Sequence, residues 1–600
     1  MSQQSAPNPV LPSDRVEEDH DGPKTVTRLI KDIMYSRDYK HFAIKLFCFG
    51  FMWLFVAGSF GLELRTQAGF SYTGTLLPLT QLGYSTVAYF QMMTYHAVVM
   101  FFGTIFTTGF AIAFYAIPSI RGTRKLAVPQ IANLGHWIVV FGLMMVVGSN
   151  SQYMFTFLIP LKNPSSFYIA EFIQFIGDEL LIIALLATAF KDKLPTEKFT
   201  LPVSFIVMDC IAMGIGIITV LSAILWTLLS PLGGLGFDVL SIPNVEVFRA
   251  AFWFESHPLV YFGSFLSLGL VIWFVTMYAR RPIYSEKLVR YMISVLFVLT
   301  MSVYIHHMAM DPIPMWIRDI FAQVATELIA VPFVTIWTLC LITLKFSRPR
   351  WDAALLFTIA AIAGNIVGGA TSEPNQPVPA VDFTIHNTMW IPGHIHFMMA
   401  TFTLGSFFAI MYYMIPNLVN RKLYSPGLAN FHFIGWTVGM GALEAAFKIQ
   451  GMLGLVRREI AWPQLYEPWF QMAMIGAWLA AISVVAFTIN MVMTWQLGDP
   501  TPPRMVPRWV TIGLALEAQA RINEGTYNPQ HVYSRIAYPI GLQALAVPAP
   551  EYSGGTTVPP TGTPRTLFSR LTNAFSSFFG SSQKSPNAGM NAATTADKES

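Results

Sequence analysis

Charge is scarce in this chain. Asp, Glu, Lys and Arg make up 12% of its 600 residues, while 54% are hydrophobic and 14% aromatic. A soluble globular domain carries roughly 25% charged residues, so this composition excludes one. Cysteine is scarcer still. Cys48, Cys210 and Cys340 each fall in an apolar run without metal-ligand spacing, which rules out a thiolate cluster and makes them packing residues. The net charge of +4 is small for this length, and no nucleic-acid partner is expected. Residues 1–40 are polar and the first apolar run lacks a cleavage site, so no cleavable signal peptide is expected.

What is abundant is long apolar sequence. Runs of about 20 residues cross a hydrocarbon core of roughly 30 Å, and twelve such runs lie near 42–63, 87–117, 131–159, 166–190, 201–230, 246–279, 288–311, 317–344, 352–371, 386–416, 429–455 and 466–496. The expected fold is all-α, a polytopic protein of the lipid bilayer with twelve transmembrane helices over 41–497. A polar amino-terminal arm (1–40) and a carboxy-terminal extension (498–600), largely disordered toward its end, flank it. Within the extension, "LFSRLTNAFSSFF" reads as an amphipathic surface helix or a fraying end.

Basic residues alternate with the spans. Even-numbered gaps hold Arg121, Arg124, Lys125; Lys191, Lys193, Lys198; Arg280, Arg281, Lys287, Arg290; Lys345, Arg348, Arg350; and Arg421, Lys422. Odd-numbered gaps hold only Arg65, Lys162, Arg457 and Arg458, with Arg249 and Arg318 just inside flanking spans. By the positive-inside rule both termini are cytoplasmic.

Half of the twelve histidines fall inside spans and at one depth. Even-numbered spans run inward from the outer surface. At ~1.5 Å per residue, His96, His257, His394 and His396 sit roughly 12–17 Å below it, and His306 and His307 lie near the outer end of span 7. Imidazole is a good ligand for iron and copper, and intramembrane ionisable groups mark function. The lack of thiolates favours heme and copper over an iron–sulfur cluster. His394 and His396, at i and i+2, point to nearly opposite sides of span 10. Each ring is therefore expected to hold its own metal, His96 completing a six-coordinate heme with one of them and His257, His306 and His307 forming a three-histidine copper site opposite the other.

These segments resemble the catalytic subunit I of the heme-copper oxygen reductases. "WFESHPLVYF" resembles the family's copper-ligand segment, with His257 and, four residues on, Tyr261. "YIHHMAMDP" resembles its paired copper histidines, and "VDFTIHNTMWIPGHIHFMMATFTLGSFFAIMYYMIPNL" the heme-binding span of the B-type branch. "LVRREIA" resembles the arginine pair, Arg457 and Arg458, that contacts heme propionates. The resemblance covers roughly residues 85–460.

It implies two hemes and one copper ion (copper B): His394 on the high-spin iron, His96 and His396 on the low-spin iron, and His257, His306 and His307 on copper. It further implies reduction of dioxygen to water coupled to proton translocation in a prokaryotic cell membrane, alongside subunit II and small membrane subunits. In the family the counterparts of His257 and Tyr261 are covalently joined, and i and i+4 share a helix face here. Asp382 and His386 match polar positions above the propionates, though they would also simply solvate the outer end of span 10. Trp253 reads equally as a neighbour of the active site or a core aromatic.

The chain departs from the family in its proton route. A-type subunits carry a glutamate where this chain has Leu259, and B-type subunits carry a polar ladder where it has Leu268, Ile272, Phe333 and Ile336. The remaining polar candidates are Glu327, Glu255 and Thr335, then Ser264, Ser267, Asp178 and Glu179. Glu444 and Lys448, at i and i+4, read as an internal ion pair. The altered ladder resembles archaeal quinol oxidases, so quinol is the expected electron donor, with cytochrome c the alternative. Two other readings compete. A nitric oxide reductase of the same superfamily would use a non-heme iron, typically with added glutamates, and would lack the tyrosine; a histidine-lined transporter needs neither the opposed pair nor Tyr261.

Overall fold

The computed structural model describes residues 34–71, 86–121, 125–151, 163–191, 198–236, 239–345, 347, 349, 351–372 and 377–500. Most of the polar arm, the extension beyond 500 with its "LFSRLTNAFSSFF" segment, and Arg124, Lys162, Lys193, Arg348 and Arg350 lie outside the described residues. Among the described residues the chain is helical, with no strand and only isolated bridges such as Thr388 with Val456.

Among the described residues ten helices are long and apolar enough to cross a membrane: α1 (Tyr39–Gly69), α2 (Val87–Ile120), α3 (Pro129–Val147), α4 (Ser165–Phe190), α5 (Leu201–Leu228), α6 (Val245–Ala279), α7 (Glu286–Met308), α8 (Met315–Lys345), α10 (Trp390–Leu418) and α12 (Gln464–Leu497). Two more occupy the other expected stretches. The first, α9 (Ala353–Ala370), has only 18 residues. The second, α11 (Pro426–Met452), has 27 but buries His432, Glu444, Lys448 and Gln450.

Three ends differ from the sequence expectation. Helix α3 stops at Val147 in a turn where Asn150 takes φ 57°. Regular α-helix in α7 ends at Thr300 and returns as a tighter 3-10 turn, Val303–Met308, which carries His306 and His307. Span 10 starts at Trp390 rather than 386, because Asn387 (φ 60°) breaks it from a short helix, Pro379–Ile385. Proline at position 392 is tolerated because the first turn has no intrahelical acceptor for its missing N–H.

The bundle pairs α3 with α4, α5 with α6 and α11 with α12. In α11 and α12 the backbones meet at Gly439 and Gly476: a Cβ on Gly439 would lie 2.6 Å from the Gly476 carbonyl oxygen. Such close approach supplies van der Waals contact where lipid removes the hydrophobic drive. The most enclosed helices are α2, α6 and α10, which bring their histidines to the centre of the bundle.

Candidate metal centre

All six expected histidines line one cavity of about 1130 Å³, walled mainly by α1, α2, α6, α10, α11 and α12. A pocket for one drug-sized ligand is roughly 300–1,000 Å³, so this space admits more than one small cofactor.

At one end the rings of His96 and His396 lie nearly parallel, 17° apart, with centroids separated by 6.4 Å. They do not touch. The gap suits one metal bonded to both rings at roughly 2 Å per nitrogen. Both tautomers are set from behind, since Nδ1 of His96 donates to the Ala57 carbonyl at 2.8 Å and Nδ1 of His396 to the Pro392 carbonyl at 2.7 Å. Each Nε2 is left as the lone-pair donor. Gly61 makes room, because a Cβ there would lie 2.5 Å from Cε1 of His96.

At the other end His257, His306 and His307 bring ligand nitrogens within 4.8 Å of one another. Nδ1 of His257 faces Nε2 of His307 at 3.2 Å, and Nδ1 of His306 lies 3.1 Å from the Thr326 hydroxyl. The indole of Trp253 stacks on His307 at 3.8 Å and 2°, so this aromatic belongs to the site. The ring of Tyr261 lies 4.6 Å from that of His257, whose Nε2 is buried without a hydrogen-bond partner. His394 lines the same cavity.

A charged rim closes the cavity. Asp382 pairs with His386 at 3.0 Å. Arg457 donates from its backbone and side chain to Asn387, at 2.9 and 2.6 Å, while Arg458 sits at φ 73° in the left-handed region. Backbone held there costs about 1–3 kcal/mol and is a mark of functional sites. Burial, then the adjacent Arg458, pushes Arg457 down to about 9, so it stays cationic at pH 7. Nε of each arginine is buried and unpartnered, which suits an anion in the cavity.

The family described as cytochrome c and quinol oxidase polypeptide I matches residues 41–500. The chain belongs to that family. A cytochrome c oxidase subunit 1 of Synechocystis sp. is 27% identical over 483 residues, covering 77% of this chain and 84% of the relative. A quinol oxidase subunit 1 of Sulfolobus acidocaldarius is 24% identical over 482 residues, covering 77% and 90%. A solved heme-copper terminal oxidase dimer shares the fold with a TM-score of 0.67 at 19% identity, covering 84% of this chain and 92% of that one.

As a member of the oxidase polypeptide I family, the chain presents donors that fit its cofactors. Imidazoles converge on two places in one cavity, one of them an all-histidine trio, and Arg457 and Arg458 line it as well. Three neighbours escaped the sequence reading. Arg65, counted only for topology, lines the cavity near His96, with Nη1 unpartnered and its guanidinium 4.9 Å from the Phe447 ring. Arg249 pairs with Asp311 at 3.0 Å and reaches the His307 carbonyl at 3.5 Å. Thr326 holds His306. Their residue types carried no signal apart from position; only a three-dimensional contact reveals them.

The proton-route candidates separate. Glu255 is fully buried, with its Oε2 accepting from the Ser256 hydroxyl at 2.9 Å. Thr335 is half-buried on α8. Glu327, expected inside, instead takes an exposed face of α8 and accepts from Gln323 at 3.3 Å. Glu444 and Lys448 attract each other electrostatically but make no close ion pair, since each bonds a hydroxyl instead. Glu444 accepts from Thr401 at 2.7 Å, and Lys448 donates to Thr371 and to Ser372, the latter at 3.0 Å. The Ser267 and Ser406 hydroxyls bond each other at 2.6 Å, and Ser264 turns to the Val260 carbonyl at 3.5 Å. Phe265, Leu268, Ile272, Phe333 and Ile336 pack with Tyr261 in one apolar cluster.

Proposed function

We propose that this chain is the catalytic subunit of a B-type, proton-translocating terminal oxidase that reduces dioxygen to water. It is a multi-pass membrane oxidoreductase of the respiratory chain. One observation carries the reading: a three-histidine cluster beside a tyrosine and an opposed histidine pair share a single intramembrane cavity.

In this reading His96 and His396 hold a low-spin heme, His394 a high-spin heme, and His257, His306 and His307 copper B. When bound, these metals would supply the redox chemistry, electron transfer and the reduction of dioxygen. The protein's own part is to orient, insulate and supply protons. Trp253 fixes the His307 ring plane, Thr326 fixes the His306 tautomer, and Arg457 and Arg458 receive propionates next to Asp382 and His386. The Tyr261 hydroxyl holds a proton and an electron for O–O cleavage. Of the expected route residues Glu255 lies inside the bundle and stays assigned to the route with Thr335, whereas the exposed face occupied by Glu327 argues against it.

Twelve crossings with both termini cytoplasmic follow from counting α9 and α11 as spans and from the alternation of basic residues. Subunit II, small membrane subunits and quinol complete the assembly in this reading. Relatives are named for both donors, so a subunit II bearing a cysteine and histidine copper cluster would replace quinol with cytochrome c. Metal analysis tests the reaction class. The oxidase reading expects copper with iron, whereas iron without copper would establish a nitric oxide reductase. Among the described residues the metal-binding trio contains no carboxylate, which favours copper.

A further inference from the structure

Away from the histidines, the membrane interior holds a second set of ionisable groups. Glu171, Gln174 and Asp178 of α4, at i, i+3 and i+7, share one helix face, and all three are buried. Gln174 Nε2 donates to Asp178 Oδ2 at 2.9 Å. Beyond that bond the row is unsatisfied, since Glu171 Oε1, Gln174 Oε1 and Asp178 Oδ1 are buried without a hydrogen-bond partner. Glu171 interacts electrostatically with Asp178 and with Glu255 of α6.

Glu171 also lines a small cavity of about 10 Å³ with, among others, Phe101, Phe252, Ser256 and Leu259. Those four residues line the histidine cavity as well. The small cavity is about the size of one water. A single layer of side chains therefore separates Glu171 and this water-sized space from the metal centre.

Two ordinary roles fit poorly. A cation cage needs oxygens that converge, yet among the described residues only His257, His306 and His307 bring three ligand atoms within 4.8 Å. A structural acid in a membrane interior persists when neighbours satisfy its oxygens, and here three acceptors on one face lack partners. Buried acids and an amide, one turn apart and ending at a water-sized space, are suited to passing protons through ordered water.

Resting on the oxidase reading above, we propose that the Asp178–Gln174–Glu171 column of α4 carries protons toward the dioxygen-reducing cavity and delivers them through the small cavity beside Ser256. Reduction of one dioxygen to two waters takes four electrons from the donor and four protons. The column supplies protons only. A proton leaves one carboxyl oxygen as another arrives by way of water, so Asp178 and Glu171 end each cycle unchanged.

The test uses the assembled enzyme, loaded with its metals, carrying Glu171→Gln or Asp178→Asn. Wild-type heme bands and dioxygen consumption check the oxidase reading separately. Each variant keeps the heme bands, copper and rate of low-spin heme reduction. Proton uptake in a single turnover, followed with a pH-indicating dye, slows about tenfold or more, and dioxygen consumption falls by the same factor. Glu171→Asp and Asp178→Glu recover most of both rates. Wild-type proton uptake in both neutral variants overturns the proposal, as does a turnover loss with uptake unchanged. Should neither neutral variant assemble, redox-difference infrared spectra of the wild-type enzyme, Glu171→Asp and Asp178→Glu decide: a carboxyl band that shifts with either substitution supports the column, and bands unchanged by both overturn it.

Discussion

Thr326 lies 3.1 Å from Nδ1 of His306, and that contact fixes which ring nitrogen faces the other two histidines. A metal-binding imidazole loses about 10–100-fold in affinity when the partner behind it is removed. Thr326→Val therefore lowers the copper-to-heme ratio, measured by elemental analysis, while the heme bands persist. His396→Ala abolishes the low-spin heme bands and leaves copper in place, because its ring pairs with His96 and is not one of the three that converge as a cluster. Tyr261→Phe keeps both hemes and copper yet lowers dioxygen turnover by roughly 10²-fold or more, the usual worth of a positioned proton donor; wild-type turnover would remove Tyr261 from the chemistry. At this scale the sequence was highly legible, because an intramembrane histidine is costly enough to announce itself. What it hid were residues of common type. Arg65 and Arg249 look like topology signals until α1 and α6 turn them toward the cavity, and Glu327 looks internal until its helix face is known.

At the scale of elements, the helices widen where they carry the site. A π-helical stretch, Val99–Phe106, begins three residues after His96, and another, Phe397–Leu404, begins directly after His396. The Thr107 hydroxyl, just past the first stretch, and the Thr403 hydroxyl, within the second, donate to carbonyls five residues back, Phe102 at 3.2 Å and Met398 at 3.0 Å. Such turns cluster at functional sites. A third, Arg318–Val324, opens α8 just before Thr326. Hydrophobic periodicity does not register one extra residue per turn, so these stretches were invisible in the sequence, as was the break at Asn387. The opposed faces of His394 and His396 were readable because they sit in the regular turn before the widening. Gly61 tests the closeness of α1 to α2. Gly61→Ala places a Cβ against the His96 ring, an overpacking that costs about 1–3 kcal/mol. The low-spin heme bands shift or fade, while carbon monoxide binding to the high-spin heme is kept.

At the scale of the whole molecule, the described residues hold ten apolar helices and a cavity too large for one ordinary ligand, lined by six histidines and by Arg457 and Arg458, each with a buried, unpartnered Nε. The order of the apolar helices and the gathering of six histidines in one cavity were legible because a bilayer imposes a common length on every helix that crosses it. The cavity's polar flank was legible only in part. Asp178 and Glu255 stood out as intramembrane acids, but the row on α4 and the water-sized space beside Glu171 depend on how α4 faces α6. The account as a whole requires two hemes in different coordination, one held by His96 and His396 and closed to ligands, the other held by His394 and open. The optical spectrum of the reduced, purified enzyme with and without carbon monoxide tests this most directly. The account predicts that one of two equal heme populations shifts and the other does not; a spectrum without heme bands, or one in which both populations shift or neither does, would contradict it.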